Sequence, residues 1–300
     1  MRIAVTGATG FLGRYVVAHL TQRGHTCRAW YRPTSDRSGL SVLEKQLQWL
    51  PGELGDDEAA RDLVAGCDAI VHAALHQPAS RFRPTADELL DFARRNLVGT
   101  LQLIEAARAE DVARFIFIST CAVHDRILDD RPLDETHPLW PHSHYGAHKA
   151  ALEKFVHSFG FGEGYAICAL RPTGIYGLAH PPQDSRWYEL VRAVAAGEDV
   201  ACTGGGKEVH ALDVSRAVEI LLTTDGVAGQ SYNCYDRYIS EYDVATLAKR
   251  LTGSSAHIIG EPRQPKHQIV TDKLRGLGMT FGGQAFVEST VKQLLAAIGT

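Results

Sequence analysis

The run Ile3-Ala4-Val5-Thr6 leads without interruption into Gly7-Ala8-Thr9-Gly10-Phe11-Leu12-Gly13, and Leu12, Val16, Val17 and Leu20 then recur at helical spacing. A strand that passes through three glycines straight into a helix admits few architectures. Gly7 permits the tight turn, Gly10 lets backbone N–H groups approach a pyrophosphate with no Cβ in the way, and Gly13 lets the helix lie close on the strand. The helix over Phe11–Arg23, closed by Gly24, points its positive end at the same place, which suits a dianion.

The rest of the first half keeps that rhythm. Strands are expected at Thr26–Tyr31, Leu47–Leu50, Ala69–His72, Arg114–Ser119 and Tyr165–Leu170. Helices are expected at Asp57–Ala65, at about Ala86–Ala109 and at Ser143–Gly160. Alternation of this kind implies crossover helices on a parallel sheet, an α/β doubly wound Rossmann-type fold. After Arg171-Pro172 glycine and proline become frequent. The segment from 172 to 300 is expected to form mostly a smaller C-terminal substrate lobe with some stretches returning to the main sheet, and residues 1–171 the dinucleotide-binding domain. The 300 residues are 45% hydrophobic and 22% charged, enough apolar surface for a core of this size. No apolar run is long enough to span a membrane. The net charge of −4 offers no basic surface for a nucleic acid. Six scattered cysteines without C-x-x-C spacing read as buried thiols in a reducing compartment, and no signal peptide precedes Ile3, so a cytoplasmic location is expected.

The second strand bears on the cofactor. An NAD site usually has an acid there for the ribose 2′-hydroxyl. This strand ends Ala29-Trp30-Tyr31-Arg32, with no acid. Arg32, with Arg14 and Arg37 as possible helpers, suits a 2′-phosphate, so NADP(H) is favoured, with NAD(H) still open.

Tyr145-Gly146-Ala147-His148-Lys149 sits at the start of a helix with Ser143 as its N-cap candidate. The i, i+4 spacing puts Tyr145 and Lys149 on one face. A lysine ammonium beside a phenol favours the phenolate and fits the phenol for proton exchange with a substrate hydroxyl or carbonyl. Phe115-Ile116-Phe117-Ile118 delivers Ser119 and Thr120 to the C-terminal end of a strand, where open α/β sheets bind ligands.

Taken together these motifs resemble the extended short-chain dehydrogenase/reductases, the epimerase/dehydratase group. The similarity runs over essentially the whole chain and is strongest over 1–177. T-G-x-x-G-x-x-G is Thr6–Gly13; G-D-L is Gly52-Glu53-Leu54; H-x-A-A is shortened to His72-Ala73-Ala74; N-x-x-G-T runs from Asn96 to Thr100. S-[ST] is Ser119-Thr120, Y-x-x-x-K is Tyr145–Lys149, and R-P-x-x-x-Y-G is Arg171–Gly177. The resemblance implies Tyr145 as general acid/base. Lys149 would bind the nicotinamide ribose and lower the Tyr145 pKa, and Thr120, rather than Ser119, would hydrogen-bond the reacting oxygen. It implies cofactor contacts from Gly7, Thr9, Gly10, Phe11, Leu12 and Gly13, with Glu53 and Leu54 by the adenine and Ala73 and Ala74 along the nicotinamide ribose. Asn96 is expected to be structural. Many relatives are homodimers built on two helices per subunit, here about 86–109 and 143–160.

Two departures bear on the substrate. Sugar-nucleotide members carry Asn in R-P-x-N and an Arg in R-D-F-x-H-V that grips a diphosphate. Here those positions are Gly174 and Gly206, the latter in Gly206-Lys207-Glu208-Val209-His210-Ala211. Lys207 would substitute only as a point charge. A small hydroxy or keto compound, carbohydrate-like, fits better, with His76, Gln77, Cys121, His124, Thr173, Trp187 and His210 as pocket candidates. Arg81 and Arg83 are candidates for an anionic group. The histidines around Tyr145 (His137, His142, His144, His148) lack the acids or cysteines of a ligand set, so no metal is expected. The function expected is an NADP-preferring oxidoreductase that interconverts a secondary alcohol and a ketone. The alternative is a sugar or nucleotide-sugar epimerase with tightly bound NAD and no net cofactor turnover. Dehydration is disfavoured because Cys121-Ala122 stand where dehydratases place Asp-Glu. A silent NADP(H)-sensing protein is disfavoured because Thr120, Tyr145 and Lys149 are intact.

Overall fold

The computed structural model describes residues 1–77 and 88–299 and divides into two compact units. The larger comprises Met1–Pro172, Val214–Cys234 and Val270–Met279; the smaller comprises Thr173–Asp213, Tyr235–Ile269 and Thr280–Thr300.

The larger unit is built on β1 (Arg2–Thr6), β2 (Thr26–Tyr31), β3 (Leu47–Pro51), β4 (Ala69–His72), β5 (Arg114–Ile118), β6 (Ala166–Pro172) and a returning strand, β10 (Ser231–Cys234). Between them run α1 (Phe11–Gln22), α2 (Asp57–Val64), α3 (Leu89–Ala93), α4 (Gly99–Ala109) and α5 (His144–His157). All seven strands are parallel, in the order β10-β6-β5-β4-β1-β2-β3. The order reverses between β1 and β4, which is the crevice where doubly wound sheets bind ligands. Near-continuous apolar strands such as Phe115-Ile116-Phe117 are buried, as expected of a sheet covered on both faces. Leu63, Leu103, Ile104 and Leu152 from α2, α4 and α5 share one buried core with Phe115 and Phe117.

Two helices depart from expectation. The helix expected over 86–109 is three pieces: α3, a widened π-type segment over Arg94–Val98, and α4. Its first residues lie outside the described ones, as do Arg81 and Arg83. The segment expected to be helical over 143–160 is α-helical only to His157 and closes in a second π-type turn, Ser158–Gly162.

In the smaller unit β7 (Gly174–Tyr176), β9 (Gly205–His210) and β11 (Arg237–Ser240) form a three-stranded sheet with β9 central, and β8 (Val200–Cys202) pairs β12 (Ile258–Gly260). Helices α6 (Tyr188–Ala195), α8 (Glu241–Thr252) and α10 (Gly283–Ile298) pack on one another through Val191, Val244, Val291 and Leu294. Ser240 and Asp243 close a capping box at the start of α8, and Gly253 ends it in the left-handed region. The boundary between units falls inside α7 (Ala211–Thr223), and α9 (Asp272–Gly276) belongs to the larger one.

Candidate active site

The glycines after β1 serve different ends. Gly7 has φ +73°, and a Cβ there would lie 2.8 Å from the Ala73 and Ala74 backbone. At Gly13 a Cβ would lie 2.0 Å from the Gly7 carbonyl oxygen. Both positions are thus closed by the protein's own packing. Gly10 is exposed, and a Cβ there would meet only the Gly7 oxygen, at 3.3 Å. It is the N-cap of α1, and no side chain caps that helix. The residues fit a dinucleotide: an uncapped helix start faces outward behind a glycine that the fold itself hardly requires. Gly10→Ala is accordingly expected to keep its melting temperature and lose about tenfold in cofactor affinity, read by fluorescence titration. Gly13→Ala is expected to destabilise by about 2 kcal/mol or more in a urea melt.

Around the loop, Thr6 Oγ1 accepts from the Ala74 amide (3.1 Å) and bonds His72 Nδ1 (2.7 Å), while His72 Nε2 bonds Thr100 Oγ1 (2.9 Å). Burial lowers the His72 pKa to about 3, so the ring is a neutral strut fixing Ala73 and Ala74 beside Gly7. Asn96 has the structural role expected of it. It accepts from the His76 amide (2.8 Å) and donates to the carbonyls of His76 (2.9 Å) and Phe92 (3.0 Å). The His76 ring is drawn to Asp91 at 3.4 Å.

The expected cofactor contacts at Glu53 and Leu54 meet other partners. Glu53 pairs with Arg95 (3.2 Å), and Leu54 is buried in the core. Of the three arginines considered for a 2′-phosphate, Arg14 donates to the carbonyls of Thr9 (3.0 Å), Ser38 (2.6 Å) and Asp36 (2.7 Å), bracing the loop. Arg37 lies 4.2 Å over the Tyr31 ring. Arg32 is exposed and its side chain has no partner among the described residues.

Thr120 follows β5 and caps the turn Cys121–Val123, its hydroxyl accepting from the Ala122 amide (3.1 Å). Ser143 caps α5 by accepting from the Gly146 amide (3.1 Å). The two elements touch at Gly146, where a Cβ would lie 2.6 Å from the Ala122 carbonyl oxygen. That contact brings the first turn of α5 up to Thr120, and Tyr145 and Thr120 are hydrogen-bonded. One turn on, Lys149 is buried and donates to the Ile118 carbonyl (2.7 Å), 4.6 Å above the Phe117 ring.

The electrostatics differ from the sequence expectation. Burial raises the Tyr145 pKa, and the Thr120 hydrogen bond opposes that rise; Lys149 does not lower it. The lysine is itself desolvated, its pKa brought down to about 7 against a weaker pull upward from Glu153, and its ammonium is turned to Ile118.

Of the substrate candidates in this unit, His124 is not an open pocket group. It is buried, with contacts to Pro138 O (3.3 Å) and Arg171 Nη1 (3.2 Å), and burial brings its pKa to about 4. Cys121 is half-buried, its Sγ 3.0 Å from the Arg171 carbonyl oxygen, and burial pushes its thiol up to about 12. Thr173, Trp187 and His210 belong to the smaller unit. No cluster of metal-ligating side chains occurs among the described residues.

A network went unforeseen. Arg171 and Glu153 are both buried and paired through two guanidinium nitrogens, with Ser119 and Ser231 also donating to the carboxylate. Glu153 lies four residues beyond Lys149 on α5, so an acid on the catalytic face of that helix was the available signal.

A model of the NAD dependent epimerase/dehydratase family matches residues 3–234. The chain belongs to that family. Within the NAD-dependent epimerase/dehydratases it is similar to a 4-hydroxy-2-methyl-3-oxo-4-farnesyl-3,4-dihydroquinoline-1-oxide ketoreductase of Stigmatella aurantiaca. The two are 37% identical over 182 residues, which is 59% of this chain and about half (51%) of that relative. A dTDP-glucose 4,6-dehydratase of Streptomyces niveus is 31% identical over 255 residues, 78% of this chain and 72% of the relative. The fold is that of the UDP-glucose 4-epimerase of Thermotoga maritima (TM-score 0.81, 22% identity, 99% of this chain and 100% of that one). Relatives within one family thus carry names of reductases, dehydratases and epimerases. No helix among the described residues is long and apolar enough to cross a membrane.

Proposed function

We propose that this family member is an NADP-preferring oxidoreductase that interconverts a ketone and a secondary alcohol on a small, carbohydrate-like substrate lacking a nucleotide diphosphate. The observation that carries this reading is the hydrogen-bonded pair Thr120–Tyr145 with Lys149 one turn behind it, at the C-terminal end of β5. Bound nicotinamide would supply or take the hydride. Thr120 accepts from Ala122 and would turn its single hydroxyl proton from Tyr145 to the reacting oxygen when substrate is bound. Tyr145 gives that oxygen its proton in reduction and takes it back in oxidation. Lys149 lies within the same desolvated patch, and its amine, which uses one proton on the Ile118 carbonyl, keeps others for a ribose hydroxyl.

Support for a keto substrate comes from the name of the Stigmatella relative, a ketoreductase. Support against dehydration comes from Cys121-Ala122 after Thr120. Support for NADP comes from Arg32, the exposed cation just after β2, whose side chain has no ion pair among the described residues. Arg32→Ala is expected to weaken NADPH about tenfold while leaving NADH unchanged, the size of one charge-assisted contact. Equal losses for both would remove the NADP preference. The first test is to denature the purified protein and identify any released nucleotide. An empty site that binds NADPH better than NADH supports the reductase; stoichiometric NAD⁺ supports the epimerase instead. We place a homodimer on α3–α5, where Leu90 is 72% and Phe155 38% exposed, to be tested by light scattering.

A further inference from the structure

In the smaller unit Glu208, on the central strand β9, is fully buried and has no hydrogen bond to either carboxylate oxygen. Arg186 Nη2 approaches Oε1 to 2.6 Å as an ion pair, without the alignment of a hydrogen bond. Burial, against a weaker pull downward from Arg186, raises this carboxyl to about 7. A carboxylate placed this way is costly, and such groups mark function more often than stability.

Its walls are informative. A Cβ at Gly174 would lie 2.4 Å from Oε2, and a Cβ at Gly206 would lie 2.2 Å from Oε1. Gly174 on β7 pairs directly with Glu208, and Gly206 lies two residues before it on the same face of β9. A side chain at 174 or 206 would require the Glu208 carboxylate to leave its present place. These are the two positions at which the sequence departs from the pattern of sugar-nucleotide enzymes. Both departures face the same buried acid, whose carboxylate occupies the room beside each glycine. Beyond Arg186 lies an open cleft of about 320 Å³ lined by Arg186, Trp187, Leu190, Ala201, Gly205 and Glu241. That is near the lower end for small-molecule sites, about 300–1,000 Å³. Trp187 takes φ +68°, a strained backbone for a bulky residue, and its ring lies tilted at 43° against Tyr176, centroids 5.1 Å apart. Two acids against one guanidinium leave the cleft and its wall without the positive charge that a diphosphate needs.

We infer that Glu208 is the substrate-selecting residue of the smaller unit. It excludes nucleoside diphosphates by filling the space of their grip and tying down Arg186, and it leaves the aromatic-walled cleft to an uncharged, hydroxylated substrate. This deepens the proposed function and rests on it for the reaction, but its test needs no turnover.

UDP is titrated calorimetrically into the full-length protein, into Glu208→Gln, which keeps the volume and removes the charge, and into Glu208→Ala, which removes both. The expected result is no measurable UDP binding to the native chain at 1 mM and a gain of about tenfold or more in at least one variant, each verified as folded by circular dichroism. Micromolar binding to the native chain overturns the inference, and so does equal affinity in all three proteins. A native chain that reduces small ketones and also binds UDP fails this inference while keeping the reaction. One that rejects UDP, has variants that accept it, and reduces nothing keeps the inference and fails the reaction.

Discussion

Tyr145→Phe is expected to lower turnover by about 10²–10⁴-fold while leaving cofactor affinity within about twofold. The substitution removes one oxygen and keeps the ring. That ring packs against His148 at 5.5 Å, and His148 packs in turn on Phe92 at 4.9 Å, so the first turn of α5 stays in place. What disappears is the proton carrier and the hydrogen bond to Thr120. In the native chain burial favours the protonated phenol, the form that donates to a carbonyl, and the hydrogen bond with Thr120 opposes it. A rate within threefold of the native value, with single-turnover kinetics confirming that chemistry is measured, would discard Tyr145 as the acid. Thr120→Val gives an independent reading. It is expected to cost less, about tenfold, because the phenol keeps its proton and loses only an orienting partner.

The glycine loop was legible in the sequence because its constraints are local. Gly7 and Gly13 meet atoms within a few residues or one strand away, and the strand, turn and helix agree with one another. Parallel pairing is legible from alternation alone, whereas a return to the main sheet is expected of some stretch after 172 without marking Ser231–Cys234 as that stretch. The break in the helix expected over 86–109 had no periodic signal. It coincides with Asn96, whose side chain is committed to His76 and Phe92, and with Gly99, where a Cβ would lie 2.7 Å from the Gly55 amide nitrogen. Both are long-range demands that override helix propensity. The same holds for the electrostatics. Y-x-x-x-K spacing puts Tyr145 and Lys149 on one face, but whether an ammonium lowers a phenol depends on where it points. Here the Ile118 carbonyl, supplied by a different element, takes it. Glu208 shows the limit most plainly: Gly174 and Gly206 read as two separate losses, and only the pairing of β7 with β9 shows that both face one carboxylate.

Arg171→Met is expected to destabilise the larger unit by about 3–5 kcal/mol, close to the loss of folding. Glu153 and Arg171 are both at most 1% exposed. The guanidinium donates to Glu153 at 3.0, 3.0 and 2.5 Å, and its Nη1 donates to the Glu135 carbonyl at 3.3 Å. Burial alone would raise the Glu153 carboxyl. Arg171, with the hydroxyls of Ser119 and Ser231, outweighs it and holds the group below the usual carboxylate range. A folded-state pKa below the unfolded one means that the native pair stabilises above the unfolded value and that this contribution is lost as pH falls through the folded one. In Arg171→Met the sign reverses. The stranded carboxylate is then driven up, so the deficit is largest at neutral pH and shrinks toward pH 5 as the group takes a proton. The double change Arg171→Met with Glu153→Leu removes both charges and is expected to recover more than half of the loss, because an apolar pair of similar volume replaces a desolvated ion pair. Because Ser119 precedes Thr120, and Glu153 follows Lys149 by one turn, the double variant also separates stability from chemistry. A protein that melts near the native temperature yet turns over at least tenfold more slowly would show that the buried pair positions Thr120 and Lys149. A protein that regains both would show that the pair serves the fold alone.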